Sequence, residues 1–242
     1  MRIIEVIIYW ILVFCLPILI ITGTIRCMVG EVRLYEYGFD KYQISQATGV
    51  DETELKEVAY QLTGYFDLKL DSAQVVVVKE GEELNLFNER ELIHLWDIRN
   101  LIQLDHWIQR VAFTVIIISG GMLVLLSAGR WRMLVRGLLW GSICTLGLMV
   151  ILALWALFGF DQLFLLFHLV SFPNEFWMLN PRTDYLIALF PEAFFYDVAM
   201  FGFGAIIFQA LLVGGVAFGI SRSAGKNCKR QDMISIDHKV TN

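Results

Sequence analysis

The 242 residues are 57% hydrophobic and only 18% charged, with a mean hydropathy of +0.61 and a net charge of −5. Soluble domains carry about a quarter charged residues. The composition therefore excludes an ordinary soluble enzyme and points to one compact integral membrane protein with room for a small extramembrane domain.

Residues 1–25 form the first apolar run, and about 20 such residues cross a hydrocarbon core. The run is longer than the apolar region of a signal peptide and no small-x-small motif closes it. It reads as a retained anchor, transmembrane helix 1, kinked by Pro17. The cysteines, Cys15, Cys27, Cys144 and Cys228, are widely spaced, without a CxxC or a Cys/His cluster. They suggest neither a metal site nor a disulfide framework. Cys15 and Cys144 sit in apolar runs and are expected to pack. Cys27 is the only thiol placed to act as a nucleophile, and it reads as structural.

Residues 26–107 are polar and form the candidate cap. Asp51 and Glu54 have the spacing of an N-cap and its return partner, opening a helix to about Tyr65. Leu55, Val58, Leu62 and Tyr65 or Phe66 give that helix one apolar face. Residues 73–78 are rich in β-branched side chains, Glu80-Gly81 is a turn signal, and residues 84–87 supply a partner strand. Asn88 and Glu91 mark the next helix start. On that helix His94 and Asp97 are neighbours. Either the carboxylate orients the imidazole, or the two form an ordinary surface pair.

Residues 108–128 are the second span and 138–160 the third. They are joined by a basic loop, 129–137, holding Arg130, Arg132 and Arg136. Residues 161–197 are expected to form an interfacial loop and 198–220 the fourth span. The fourth span is rich in glycine (Gly202, Gly204, Gly214, Gly215 and Gly219), which suits close helix packing. The tail, 221–242, is basic at its start and reads as unstructured, with His238 incidental. Lys and Arg in the short segments put both termini and the Arg loop in the cytoplasm, and the cap and the 161–197 loop outside.

The stretch 164–196 is unlike a span. Pro173, Pro181 and Pro191 interrupt it, and it is dense in Phe, Trp and Tyr. Among those rings lies His168, with Asn174, Trp177, Arg182, Asp184 and Glu192 nearby in sequence. A titratable ring in that setting suggests a site; the alternative is an amphipathic loop resting on lipid. Four spans bring His94 and His168 to one side of the membrane. The sequence lacks GxSxG, HExxH, Walker and GxGxxG motifs. Two imidazoles suit acyl transfer in which the substrate supplies its own nucleophile: one ring takes a proton from the attacking group and the other gives one to the departing oxygen.

FNERELIHLWDIRNL and FHLVSFPNEFWMLNPRTDYLIALFPEAFFYD resemble two segments of a family of bacterial integral membrane proteins, the lipoprotein intramolecular transacylases of Gram-positive bacteria. The resemblance covers nearly the whole chain. Ile98 replaces a Val of the first motif, and Ser171 replaces the first Phe of a pair whose second is Phe172. The resemblance implies a mainly α membrane protein of four transmembrane helices with a small, mostly helical extracellular cap, and His94 and His168 as catalytic residues at the cap–membrane boundary. Asp97 then orients His94, and Asn174, Trp177, Arg182 and Asp184 are orienting or pocket residues. The implied substrate is a diacylglyceryl-modified bacterial lipoprotein in membrane lipid. Its sn-2 acyl chain moves to the α-amino group of its N-terminal cysteine, giving a lyso-form lipoprotein. No cofactor, metal or nucleic acid is expected. The competing readings are a non-enzymatic membrane module that binds a lipid or protein partner, and a membrane lipid acyl hydrolase.

Overall fold

A computed structural model describes residues 3–125 and 131–240, with side chains to residue 223; Arg2, Arg130 and the side chains of Cys228 and His238 fall outside this description. Four of its helices are long and apolar enough to cross a membrane. They are α1 (Ile3–Val29), α5 (Glu89–Leu125), α6 (Trp131–Ser171) and α8 (Glu192–Val240). α2 (Val32–Lys41), α3 (Ile44–Thr48), α4 (Glu52–Phe66) and an antiparallel hairpin of β1 (Val76–Lys79) and β2 (Glu82–Asn85) lie between α1 and α5 in the chain, and α7 (Tyr185–Leu189) between α6 and α8. The chain is a multi-pass, mainly helical membrane protein with a small, mostly helical cap.

The backbone divides into two compact units. The first comprises Met1–Ile21, Gln109–Val150 and Ala205–Asn242. Here α1 and α6 approach closely because glycine leaves room: a Cβ on Gly141 would lie 2.9 Å from Leu16 Cβ and 3.0 Å from the Val13 carbonyl oxygen. Of the glycines expected to pack in the fourth span, Gly214 meets Ser142 in this unit, whereas Gly204, Gly215 and Gly219 face open space. Hydroxyls inside the unit satisfy themselves on their own helix, Ser142 donating to the Leu138 carbonyl and Thr145 to that of Gly141, as apolar surroundings require. Cys144, expected to pack, is exposed.

The second unit comprises Thr22–Ile108 and Ile151–Gly204. Its core joins the apolar face of α4 (Leu55, Val58, Leu62, Tyr65, Phe66) to Tyr35 and Phe39 of α2 and to Leu189, Phe190 and Phe194. Gly38 lets α2 sit against Phe194, whose ring a Cβ there would meet at 2.4 Å. Lys41 and Tyr42 both donate to Asp197, tying the end of α2 to α8. The hairpin turns at Glu80 and Gly81, both at positive φ (54° and 87°), the geometry of a tight type I′ turn. Gln74 extends the ladder beyond β1 by pairing with both backbone groups of Phe87.

Local expectations and structure differ in several places. Of the loop expected at 129–137, residues 131–137 already belong to α6, since nothing in that stretch stops a helix, and 129–130 lie outside the described residues. Asp51 is the N-cap of α4, but its side chain makes no capping bond, and Glu54 accepts instead from the Val78 N–H of the hairpin. α1 stays helical through Pro17, and among the described residues of the span helices the marked departure from helical φ/ψ falls at Gly159 of α6. Residues 161–171 continue α6 as helix and 192–197 open α8, so only 172–191 has the broken character foreseen for the whole of 161–197. The tail expected to be unstructured continues α8 to Val240; no proline follows Pro191 to stop it.

Candidate active site

Two long helices bring the histidines to one place. His94 lies in the second turn of α5, whose start is held by a reciprocal capping box. The Asn88 N–H donates to Glu91 Oε2 at 2.8 Å, and the Glu91 N–H donates to Asn88 Oδ1 at 3.1 Å. His168 lies in the last turn of α6, just before Pro173 ends the helix. After α6 the chain is clamped to α5 by side-chain bonds spaced along it. Asn174 Nδ2 donates to Asp97, Arg90 donates to the Glu175 carbonyl, Asn88 Nδ2 donates to Asp184, and the Leu186 N–H donates to Glu91 Oε1. Glu91 thus caps α5 and meets an open N–H at the start of α7 with one carboxylate.

The ring centroids of His94 and His168 are 6.2 Å apart. Both side chains are buried, at 5% and 8% exposure, which removes the surface-pair reading of His94. Phe172, the retained Phe of the second motif, sits by both, 5.0 Å from His94 and 5.7 Å from His168. His168 is further flanked by Phe164 at 4.4 Å and Trp177 at 4.9 Å. Its Nδ1 lies 2.7 Å from the Phe164 carbonyl oxygen. A carbonyl only accepts, so Nδ1 carries the hydrogen and Nε2 keeps its lone pair. His94 Nδ1 is buried with no hydrogen-bond partner.

Both rings line a cavity of about 280 Å³, near the low end of small-molecule sites. Most of its wall is aliphatic and aromatic, from α1, α2, α4, α5, α6, the 172–191 segment and α8. The polar groups that join the two imidazoles are the Tyr35 hydroxyl, which donates to the Val29 carbonyl, the Trp177 indole and Glu192. Cys27 is exposed and is not part of the wall. Among the described residues no group of three Asp, Glu, His or Cys side chains is placed to hold a metal ion.

The other residues singled out in the sequence fall into separate places. Trp177 lines the cavity against His168. Asp97 makes no hydrogen bond to His94; it accepts from Asn174, and that pair fastens the 172–191 segment. Asp184 accepts from the Asn180 N–H, the Thr183 hydroxyl and Asn88. Burial pulls its pKa upward, but these donors and the nearby Arg90 charge outweigh it and hold the carboxyl below the usual aspartate range. Arg182 is exposed, and its backbone N–H rather than its guanidinium makes the local bond, to Asn180 Oδ1. Sequence reasoning passed over Glu91 as a long-range cap, because only its local partner, Asn88, is close in sequence.

Residues 10–195 match the sequence profile of the family described as Lipoprotein intramolecular transacylase Lit. The chain belongs to this family. It is therefore an acyltransferase, a lipoprotein intramolecular transacylase. Among solved structures it is similar to the membrane-integral Lit of Bacillus cereus, with a TM-score of 0.74 at 21% identity over 94% of this chain and 98% of that one. Two variants of that protein with one histidine replaced align comparably. The arginine variant gives a TM-score of 0.69 at 21% identity, covering 94% of this chain and 95% of that one. The alanine variant gives 0.72 at 20%, covering 94% and 96%. The comparison with curated protein sequences returned no match.

Proposed function

We propose that His94 and His168 are the catalytic residues of this transacylase, and that its substrate is a diacylglyceryl-modified lipoprotein with a free N-terminal cysteine. The reading rests on one observation: two buried imidazoles 6.2 Å apart on the wall of one apolar cavity, in a chain of this family. The sn-2 ester and the α-amine of the substrate are joined by a flexible linkage, so a confining cavity supplies the orientation that the free molecule lacks.

His168 Nε2 takes a proton from the amine, and the Nδ1–H bond to the Phe164 carbonyl holds the ring in that tautomer. The amine nitrogen attacks the sn-2 carbonyl carbon. As the carbon–oxygen ester bond breaks, His94 gives a proton to the glyceryl oxygen and recovers one from the His168 imidazolium, so both rings end as they began. One acyl chain moves from oxygen to nitrogen, no water is consumed, and the product is the lyso-form lipoprotein. Trp177, against His168 in the wall, is the side chain best placed to donate to the developing oxyanion. Asn174 and Asp97 act on the site through the segment they fasten.

The positive-inside rule, applied to Arg132 and Arg136 at the start of α6, favours an extracellular cap side and cytoplasmic termini. Mass spectrometry of one lipoprotein from cells with and without the gene tests the reaction. The expected result is two acyl chains in both cases, with one chain on nitrogen only when the gene is present. Loss of an acyl chain without N-acylation identifies a hydrolase; identical fragmentation in both strains ends the proposal.

A further inference from the structure

Five carboxylates lie in or beside the site, and they are not equivalent. Glu91 accepts from the backbone N–H groups of Asn88 and Leu186. Asp97 accepts from Asn174. Asp184 has three donors, and Asp197 holds Lys41 and Tyr42. Each of these four is occupied by the fold, and none lines the cavity. Glu192 is the fifth. It alone among them is in the cavity wall. It is exposed, and among the described residues no hydrogen bond or ion pair reaches its carboxylate. No Lys or Arg lines the cavity to neutralise it. Its backbone position is fixed, since Pro191 precedes it and the Phe194 N–H bonds back to the Pro191 carbonyl at the start of α8.

We infer that Glu192 is the binding group for the substrate's α-ammonium. The inference deepens the transacylase reading and rests on it. An α-amine has a pKa of about 7.7–8.0 and arrives largely protonated. An apolar cavity disfavours a bare cation, and the wall offers one anion to meet it. Glu192 draws the ammonium to the cavity and holds it until solvent takes one proton; His168 takes the second as the nitrogen attacks. Transfer converts the amine into an uncharged amide, which Glu192 no longer attracts, so the same carboxylate favours entry of substrate over retention of product. It also selects a free N-terminus over one already acylated.

The test uses the full-length purified enzyme in mixed micelles and a synthetic diacylglyceryl-cysteinyl peptide with a free amine. E192Q is expected to raise KM about tenfold and to change kcat less than about threefold, with E192D intermediate. A helix-stabilising role alone would lower the unfolding temperature and leave KM unchanged. A KM for folded E192Q within twofold of the original overturns the inference while leaving the transacylase reading intact. If the unaltered enzyme forms no N-acyl product, that reading fails instead. A second measurement does not depend on the variant folding. Dialkylglyceryl ether peptides, which cannot transfer a chain, are compared as inhibitors with and without the amino group. The amine form is expected to inhibit about tenfold better; equal inhibition overturns the inference.

Discussion

The segment that follows α6 and the cavity beside it are built from the same residue types and use them in opposite ways. In residues 172–191 the polar groups are engaged: Asn174 with Asp97, Asp184 with three donors, and the Leu186 N–H with Glu91. On the cavity wall they are left bare: His94 Nδ1 has no partner and Glu192 has none. A buried polar atom without a partner is costly, and native proteins keep few of them. His94 Nδ1 is such an atom on the cavity wall; Asp105 Oδ2 is another, away from the wall, and Glu192 is exposed and carries no such cost.

The sharpest break of that contrast is at the bare groups. H94A and H168A are each expected to lower kcat/KM by at least about 10³-fold while the detergent-solubilised protein keeps its unfolding temperature; full activity in either variant removes that ring from the mechanism. The engaged groups should behave in the reverse sense. E91A leaves two backbone N–H groups, of Asn88 and Leu186, without their acceptor and is expected to cost about 2–4 kcal/mol of stability, read by thermal unfolding, with near-normal kcat in the fraction that remains folded. Overpacking tests the cap in the same way. A Cβ at Gly38 meets the Phe194 ring at 2.4 Å, so G38A should destabilise by about 1–3 kcal/mol, again without loss of the catalytic rings.

Two smaller effects sharpen the comparison. The Asp184 carboxyl is held below its ordinary range. Its contribution to stability is therefore present above an unfolded-state value of about 3.9 and is lost as pH falls through the lower folded value. D184N should flatten the acid limb of the unfolding profile below about pH 4, and an unchanged acid limb would show that its donors carry no net stability. R182A should alter kcat/KM by less than about twofold, as expected for an exposed surface side chain; a larger loss would make its guanidinium part of the site.

Much of the fold can be read residue by residue. Four apolar runs, the Asn88–Glu91 capping box, the apolar face of α4 and the Glu80-Gly81 turn all depend on neighbours within a few positions, and each is found. The misreadings share a cause. Glu54 has the right spacing for a local cap, but the Val78 N–H, 24 residues away, takes its carboxylate. Asp97 has the right spacing to meet His94, but Asn174, 77 residues away, claims it. Pro181 and Pro191 predicted a broken chain correctly, yet α6 runs on through His168 because no proline intervenes before Pro173.

Sequence alone determined that this is a membrane protein with four spans, a polar cap and two histidines in recognisable surroundings. Those features follow from hydropathy, capping and spacing, which act over one or two helical turns. Only the tertiary structure decided that the rings stand 6.2 Å apart, that Phe172 lies by both, and that Glu192, unlike Glu91, Asp97, Asp184 and Asp197, is among the residues lining the cavity. A side chain's partner is fixed when distant segments pack, and a carboxylate is available to a ligand only if no donor of the fold reaches it first.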